Sequence, residues 1–571
     1  MSALRAAIVV ALAAAVLAAA GWARALPRPL TQDEVDPFGE TAAAVAERGP
    51  SALGERAPGS RFPGGTRYEL PHTLLYTLLL SLTFTAAGPS ALAARALGLG
   101  FHLAAMIVLI LLARRAPLDG SYGAWRARPW LAAGLYLVLP LAVQYPLFLD
   151  LDNSILPPLL LALMLACILA AERAGPLPLA SVSLMTALSL WAKETPPVLL
   201  LAAAAVWWVL TRGAVSAVVR LVPAAAAGAA LFGVTWWGFC ARTGVPIDAF
   251  YQWTINQRLL QDGAGPALGP GLKALWNEAQ WVASWLSPAF LALAGLAALD
   301  RLARLVRARR AEALDLPLLF LIVLLLVHGL YYPGLKYLFP GVAPACLLVA
   351  DLFVRRVLPL ARAEAALTAA AILAIAIALL FAPDPVLPGW SFKREIFYAT
   401  AVPLGAAGAA LLLVAWRRPG RVILLSLAAV ALGGSASQSL RQLGMDATVP
   451  SYGDYGERGA PELIAAMRAS LPGTCTIVAR RDFVFAVGTE AAQPGRTPVV
   501  IGLYRNEPQI PRAELGGIFA DPALAAIMID SQERRVWKEF DRDAARAAAR
   551  EAGFTDERRF GDFVLLRRGS G

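Results

Sequence analysis

The sequence has little charge for its length. Of 571 residues, only 16% are Asp, Glu, Lys or Arg, while 58% are hydrophobic. Soluble domains carry roughly a quarter charged residues, so a soluble globular protein is excluded. Side chains that bind transition metals are also scarce. The three histidines, His72, His102 and His328, are scattered along the chain. Cys167, Cys240 and Cys346 lie in or beside apolar runs, Cys475 stands alone in a polar tail, and no C-x-x-C spacing occurs. Neither a disulfide framework nor a zinc site is implied. No glycine-rich phosphate loop and no clear internal repeat is present.

What fills the chain instead is apolar runs, from Leu4 to Leu440. Backbone groups in lipid need internal partners, so such runs span as helices; the alternation of a barrel strand is absent from this region. The net charge of +11 is arginine-rich. It reads as orientation by cytoplasmic Arg, not as nucleic-acid binding. The basic clusters are Arg114-Arg115, Arg126, Arg128, then Arg301, Arg304, Arg307, Arg309 and Arg310, then Arg355-Arg356 and Arg417-Arg418.

Residues 6–20 form the first apolar segment, read as a retained anchor, although Ala23-Arg24-Ala25 also mimics a signal cleavage site. Thr73–Ala86 is short and is placed at the interface, because a second crossing there would put Arg114-Arg115 outside. Further spans are expected at Ala91–Ala113, Trp130–Leu149, Ile155–Ala171, Leu177–Ala192, Pro196–Leu210, Val218–Cys240, Trp281–Leu299, Leu316–Tyr331, Tyr337–Val354, Ala365–Phe381, Phe397–Trp416 and Val422–Ser439. The fold class expected is thus a polytopic all-α membrane bundle of about 13 helices, over residues 1–440. Its N-terminus is cytoplasmic and its first outer loop covers 27–90. Residues 441–571 differ in kind. Short apolar runs at Cys475–Val478, Thr497–Ile501, Ala526–Ile529 and Asp562–Leu566 read as buried strands, with helical patterns at Ala460–Ser470 and Asp541–Ala552. A small extracytoplasmic α/β domain is expected there.

This topology gathers chemistry on one side. Asp33, Glu34, Glu69, Asp150, Asp152, Lys193, Glu194 and Lys336 all fall at outer span ends or in outer loops. A charge at mid-bilayer costs about 2.5–3.5 kcal/mol on insertion scales, so charges collected at span ends snorkel or line a cavity. Trp207-Trp208 and Trp236-Trp237 read as membrane-belt aromatics, and Phe250–Arg258 as an interfacial helix or a sugar-binding segment.

Four stretches resemble the C-type glycosyltransferase superfamily, polytopic enzymes that use polyprenyl-phosphate sugars. The likeness is to the branch of aminoarabinose transferases and protein O-mannosyltransferases (families 39 and 83). Gln32-Asp33-Glu34 looks like the acidic first outer loop. Tyr68–Tyr76, running on to Gly88-Pro89-Ser90 and Arg95, looks like the juxtamembrane segment and the span after it. Leu149–Asn153 looks like the acidic turn between spans. Ala192-Lys193-Glu194-Thr195-Pro196 and Lys336-Tyr337-Leu338-Phe339-Pro340 look like two basic turns. Where relatives carry Lys-Pro-Pro or His-Pro-Pro, this chain has Leu70-Pro71-His72-Thr73.

The resemblance implies transfer of a sugar from a polyprenyl-phosphate donor, with inversion, at the outer face of a bacterial cytoplasmic membrane. Asp33 is then the general base that activates an acceptor hydroxyl, with Glu34 the second choice. The leaving lipid phosphate needs fixed positive charge. Lys193, Lys336, His72 and Arg67 are the candidates for it. Glu69, Asp150, Asp152, Glu194 and Tyr337 would bind substrate or support the site. No metal and no cofactor is assigned; a divalent ion on Asp33, Asp150 or Asp152 stays open. The partners implied are the lipid-linked donor, membrane lipids and an acceptor that is a lipid, a glycan or a protein. A flippase of lipid-linked sugar and a non-catalytic envelope scaffold are the competing classes.

Overall fold

The computed structural model describes residues 3–26, 30, 38–54, 72–115, 126–139, 151, 154–173, 175–248, 288–308, 311–330, 335–356, 459–470, 475–480, 483–490, 499–503, 512–530, 542–561 and 563–569. Helix α1 is Ala3–Ala25 and α2 is Glu40–Arg48, followed by a 3-10 turn at Pro50–Gly54. Then come α3 (Leu75–Ala87), α4 (Ala91–Ala113), α5 (Arg128–Val138), α6 (Leu156–Glu172), α7 (Pro176–Ala192) and α8 (Thr195–Arg212). A long helix, α9 (Ala214–Thr243), contains a π turn at Ala217–Leu221. Helices α10 (Pro288–Ala308), α11 (Asp315–Leu330) and α12 (Val342–Arg356) complete the described bundle, with a 3-10 turn at Leu335–Gly341 leading into α12. Among the described residues, four helices are long and apolar enough to cross a membrane: Ala91–Ala113, Thr195–Arg212, Ala214–Thr243 and Tyr337–Arg355. The segments expected at Ala365–Phe381, Phe397–Trp416 and Val422–Ser439 lie outside the described residues.

Polar contacts divide the bundle into two ends. At one end Arg128 is fully buried, donating from Nε to the Ala113 carbonyl (2.9 Å) and from Nη1 to Asp351 (2.8 Å). Asp351 also accepts from Arg304 (3.2 Å) and Arg355 (3.0 Å). Arg301 grips both carboxylate oxygens of Asp315, at 2.6 and 3.1 Å, and reaches Glu312 at 2.7 Å. This basic end therefore joins the start of α5, the C-terminal half of α10, the start of α11 and the end of α12. The sequence reading places Arg128 and Arg301 in cytoplasmic loops and ends the α10 span at Leu299. The structure corrects this: the helix runs on to Ala308, because its arginines are neutralised by acids from neighbouring helices.

Helix α3 is 13 residues long, about 20 Å, and falls short of the ~30 Å hydrocarbon core. Both of its ends lie away from the basic end. The entry residue Thr73 donates to the carbonyl of Leu190 at the close of α7 (2.7 Å). Beyond its last turn, Gly88 at φ +80 lets the chain reverse into α4. Close packing also shapes α7 against α9. A Cβ at Gly228 would overlap the Ser183 carbonyl and the Thr186 side chain, and Ser183 Oγ donates to Ala224 O at 2.8 Å.

The described C-terminal residues form a five-stranded mixed sheet with helices. The elements are α13 (Ala460–Ser470), β1 (Thr476–Arg480), a π turn (Val484–Thr489), β2 (Val499–Leu503), α14 (Arg512–Ala520), β3 (Leu524–Asp530), α15 (Arg542–Glu551), β4 (Asp556–Phe560) and β5 (Phe563–Arg567). Strand order is β2-β1-β3-β5-β4; β1 pairs in parallel with β2 and β3, and β5 runs antiparallel to β3 and β4. Alternate residues serve two cores. Val478, Ile527, Ile529, Val564 and Leu566 pack with α14 and α15, whereas Ile477, Met528, Phe563 and Leu565 pack with α13 and the π turn.

Candidate functional site

The end opposite the arginine network holds the candidate site. Helix α7 stops at Ala192 because Pro196 and Pro197 have no N–H to continue its hydrogen bonds. The same prolines are preset for the first turn of α8. The chain therefore breaks at Lys193-Glu194, and Lys193 takes an extended conformation. Its side chain is only 2% exposed. The ammonium lies over the Tyr337 ring, 4.7 Å from the centroid, in cation–π geometry. Tyr337 is itself buried, in the 3-10 turn before α12. The backbone of Lys336 sits beside it in that turn.

His72 comes to the same break from α3. Its Nδ1 is 3.3 Å from Glu194 Oε1. Burial alone would raise the Glu194 carboxyl. The His72 imidazole, its hydrogen bond and the Lys193 charge outweigh this and hold the group below its ordinary value. The second oxygen, Oε2, is shielded from solvent and has no hydrogen-bond partner among the described residues. A buried carboxylate oxygen without a donor is costly, and native structures keep such atoms mainly where a ligand, a water or an ion completes them.

An aromatic wall flanks the break. Trp191 donates to Thr235 Oγ1 (2.8 Å) and meets Trp236 edge-on, with centroids 5.3 Å apart. Trp236 also donates to the Ile247 carbonyl (2.8 Å). Trp236 is buried, and so are Trp207 and Trp208, which lie at the other end of α8, where Trp207 donates to the Glu312 carbonyl (2.7 Å) beside the arginine network and Trp208 to Ser216 (3.1 Å). Of the four tryptophans read as belt aromatics, Trp237 is the exposed one, at 62%. The other three sit inside because each indole N–H finds a partner on a neighbouring turn.

Of the residues singled out from the sequence, the structure brings together His72, Lys193, Glu194 and Tyr337. Asp33, Glu34, Arg67, Glu69, Asp150 and Asp152 lie outside the described residues, as does the Phe250–Arg258 segment. Among the described residues, no three His, Cys, Asp or Glu side chains converge as metal ligands would. Sequence reasoning missed Thr73, Trp191 and Trp236 as parts of this end; their signal is one of burial, which appears only when the helices pack.

The class these features define is a polytopic helical membrane protein with polar chemistry at one bundle end. No protein-family model matches the chain, and no curated protein sequence matches it significantly. Solved structures do. ArnT from Cupriavidus metallidurans in the apo state aligns with a TM-score of 0.57 and 15% identity, covering 99% of this chain and 99% of its own. The same protein bound to undecaprenyl phosphate aligns at 0.55 and 15%, covering 99% and 98%. An archaeal oligosaccharyltransferase from Archaeoglobus fulgidus aligns at 0.43 and 13%, over 92% of this chain and 70% of its own, a likeness too distant to argue from. The chain shares its overall fold with ArnT along nearly the full length of both.

Proposed function

We propose that this protein is an integral-membrane glycosyltransferase that takes a sugar from a polyprenyl-phosphate donor and passes it to an acceptor at the outer face of a bacterial cytoplasmic membrane. The observation that carries the reading is the buried Lys193 at a proline-enforced helix break, beside the His72–Glu194 pair, on a fold whose solved example ArnT binds undecaprenyl phosphate. A shielded ammonium at a bundle end suits a lipid phosphate, which arrives from the membrane and carries growing negative charge as the sugar leaves.

In this reading Lys193, Lys336, His72 and Arg67 hold the donor phosphate. Asp33 removes the acceptor proton, with Glu34 beside it, and one direct displacement inverts the anomeric carbon. Glu69, Asp150, Asp152 and Tyr337 shape the pocket. Glu194 Oε2 accepts a hydrogen bond from a hydroxyl of the substrate. Residues 1–440 form the catalytic bundle of about thirteen spans and 441–571 an extracytoplasmic domain. The arginine end faces the cytoplasm, by the positive-inside rule.

The test is a titration of purified protein with undecaprenyl phosphate. Wild type should bind it, and Lys193→Met should bind about thirty-fold or more weakly, since removing one partner of a buried charge pair costs about 2 kcal/mol or more. Equal affinities would remove Lys193 from the site.

A further inference from the structure

The π turn at Val484–Thr489 belongs to the C-terminal sheet by sequence and to the bundle by burial. Phe485 is fully buried among residues of the bundle core. It stacks on Phe84 in the last turn of α3, with centroids 5.7 Å apart and rings 28° from parallel. Glu490, which closes the turn, accepts the backbone N–H of Ala91 at the start of α4 (3.1 Å), 399 residues away. Ser90 accepts from Ala93 in the same first turn (3.1 Å), so α4 has one cap from its own chain segment and one from the C-terminal unit. Arg468 of α13 braces the arrangement. It donates to the other Glu490 oxygen (2.8 Å) and twice to the Ala486 carbonyl (3.1 and 2.8 Å).

Two helices meet this turn, and one of them, α3, leads to the candidate site. Helix α2, which packs against it, follows Asp33 and Glu34 in the chain. Helix α3, which ends on Phe485, begins directly after His72 and Thr73, whose side chains contact Glu194 and the Leu190 carbonyl. A rigid helix transmits displacement from one end to the other, and α3 also packs on α2, with Tyr76 edge-on to Phe38 just before it (5.2 Å).

We infer that the Val484–Glu490 turn is a positioning element for the site, with Phe485 and Glu490 as positioning residues that set α2 and α3 from behind. The consequence for ligand binding rests on the donor reading above; the mechanical link does not. Hydrogen exchange with mass spectrometry on the full-length protein separates the two. In Phe485→Ala and Glu490→Gln, amides of α2, of residues 72–80 and of the first turn of α4 should exchange faster. Strands β1, β3 and β5 should keep wild-type protection. Faster exchange confined to the turn itself and to Ala91 would overturn the inference. Should Phe485→Ala also open the sheet, Glu490→Gln, which leaves volume unchanged, decides alone.

The second readout is affinity for undecaprenyl phosphate, the bare lipid. It should fall about ten-fold in Phe485→Ala, in the range usual for coupling between sites, and recover in Phe485→Leu. Wild-type affinity in both variants would overturn the inference as well. A wild-type protein that binds no undecaprenyl phosphate would sink the donor reading, and the exchange result would still decide whether the turn sets α2 and α3.

Discussion

Lys193 and Glu194 stand in a run of apolar residues where charge is expensive, and that contrast made them visible in the sequence. Pro196 and Pro197 fixed the break that presents them. The partner of Glu194, His72, is 122 residues away, and nothing in the local sequence links the two. The pair makes a pH prediction. The Glu194 carboxyl lies below its ordinary value of 4.5. A depressed carboxylate adds stability above its unfolded value and loses it as pH falls through the folded one. The wild-type melting midpoint should therefore hold down to the ordinary carboxylate range and drop on further acidification. Glu194→Gln removes this component, so its acid branch should be flatter. Parallel acid branches for the two proteins would argue against an ionised Glu194. The tryptophans show the opposite case of legibility. Paired Trp residues near span ends look like belt anchors, yet Trp207, Trp208 and Trp236 are core because partners from other turns satisfy their N–H groups.

Helices and strands were legible where a pattern was long or strongly apolar. The runs behind β1, β2, β3 and β5 stood out for this reason. Strand β4, Asp-Glu-Arg-Arg-Phe, did not, since an exposed edge strand lacks an apolar face and is kept charged. The end of α10, which runs on to Ala308, also escaped, because the sequence cannot tell a solvated arginine from one buried against an acid on another helix. The arginine network makes its own prediction. Asp351 is 1% exposed and accepts from three arginines carried by α5, α10 and its own helix. Asp351→Asn should destabilise the protein by about 3–5 kcal/mol, because it leaves Arg128 buried without its counter-charge. Asp351→Asn with Arg128→Met should cost less than the two changes summed. Thermal melts of the solubilised protein check both, and an unchanged midpoint in Asp351→Asn would make the network ornamental. At the α7–α9 crossing, Gly228→Leu should lower the midpoint more than Ala229→Leu, since a side chain at 228 meets the Ser183 carbonyl.

At the scale of the whole molecule, composition and charge placement were enough to give a membrane bundle with chemistry gathered at one end. Short motifs suggested a resemblance to the C-type glycosyltransferases, and the ArnT structures share this chain's fold at 15% identity. The keying of the C-terminal sheet into the bundle was not legible, because Phe485 and Glu490 look like ordinary residues of a soluble segment. If the proposed reaction is right, Asp33→Asn should abolish transfer while leaving melting midpoint and donor binding intact; full activity in that variant would reassign the base. The central claim is that the bundle end around Lys193 holds a polyprenyl-phosphate sugar. Native mass spectrometry of the gently released protein tests it most directly. A bound lipid whose mass fits a polyprenyl phosphate carrying a sugar, lost in Lys193→Met, is the predicted result. Bulk phospholipid alone, even after synthetic polyprenyl-phosphate sugars are supplied, would contradict it.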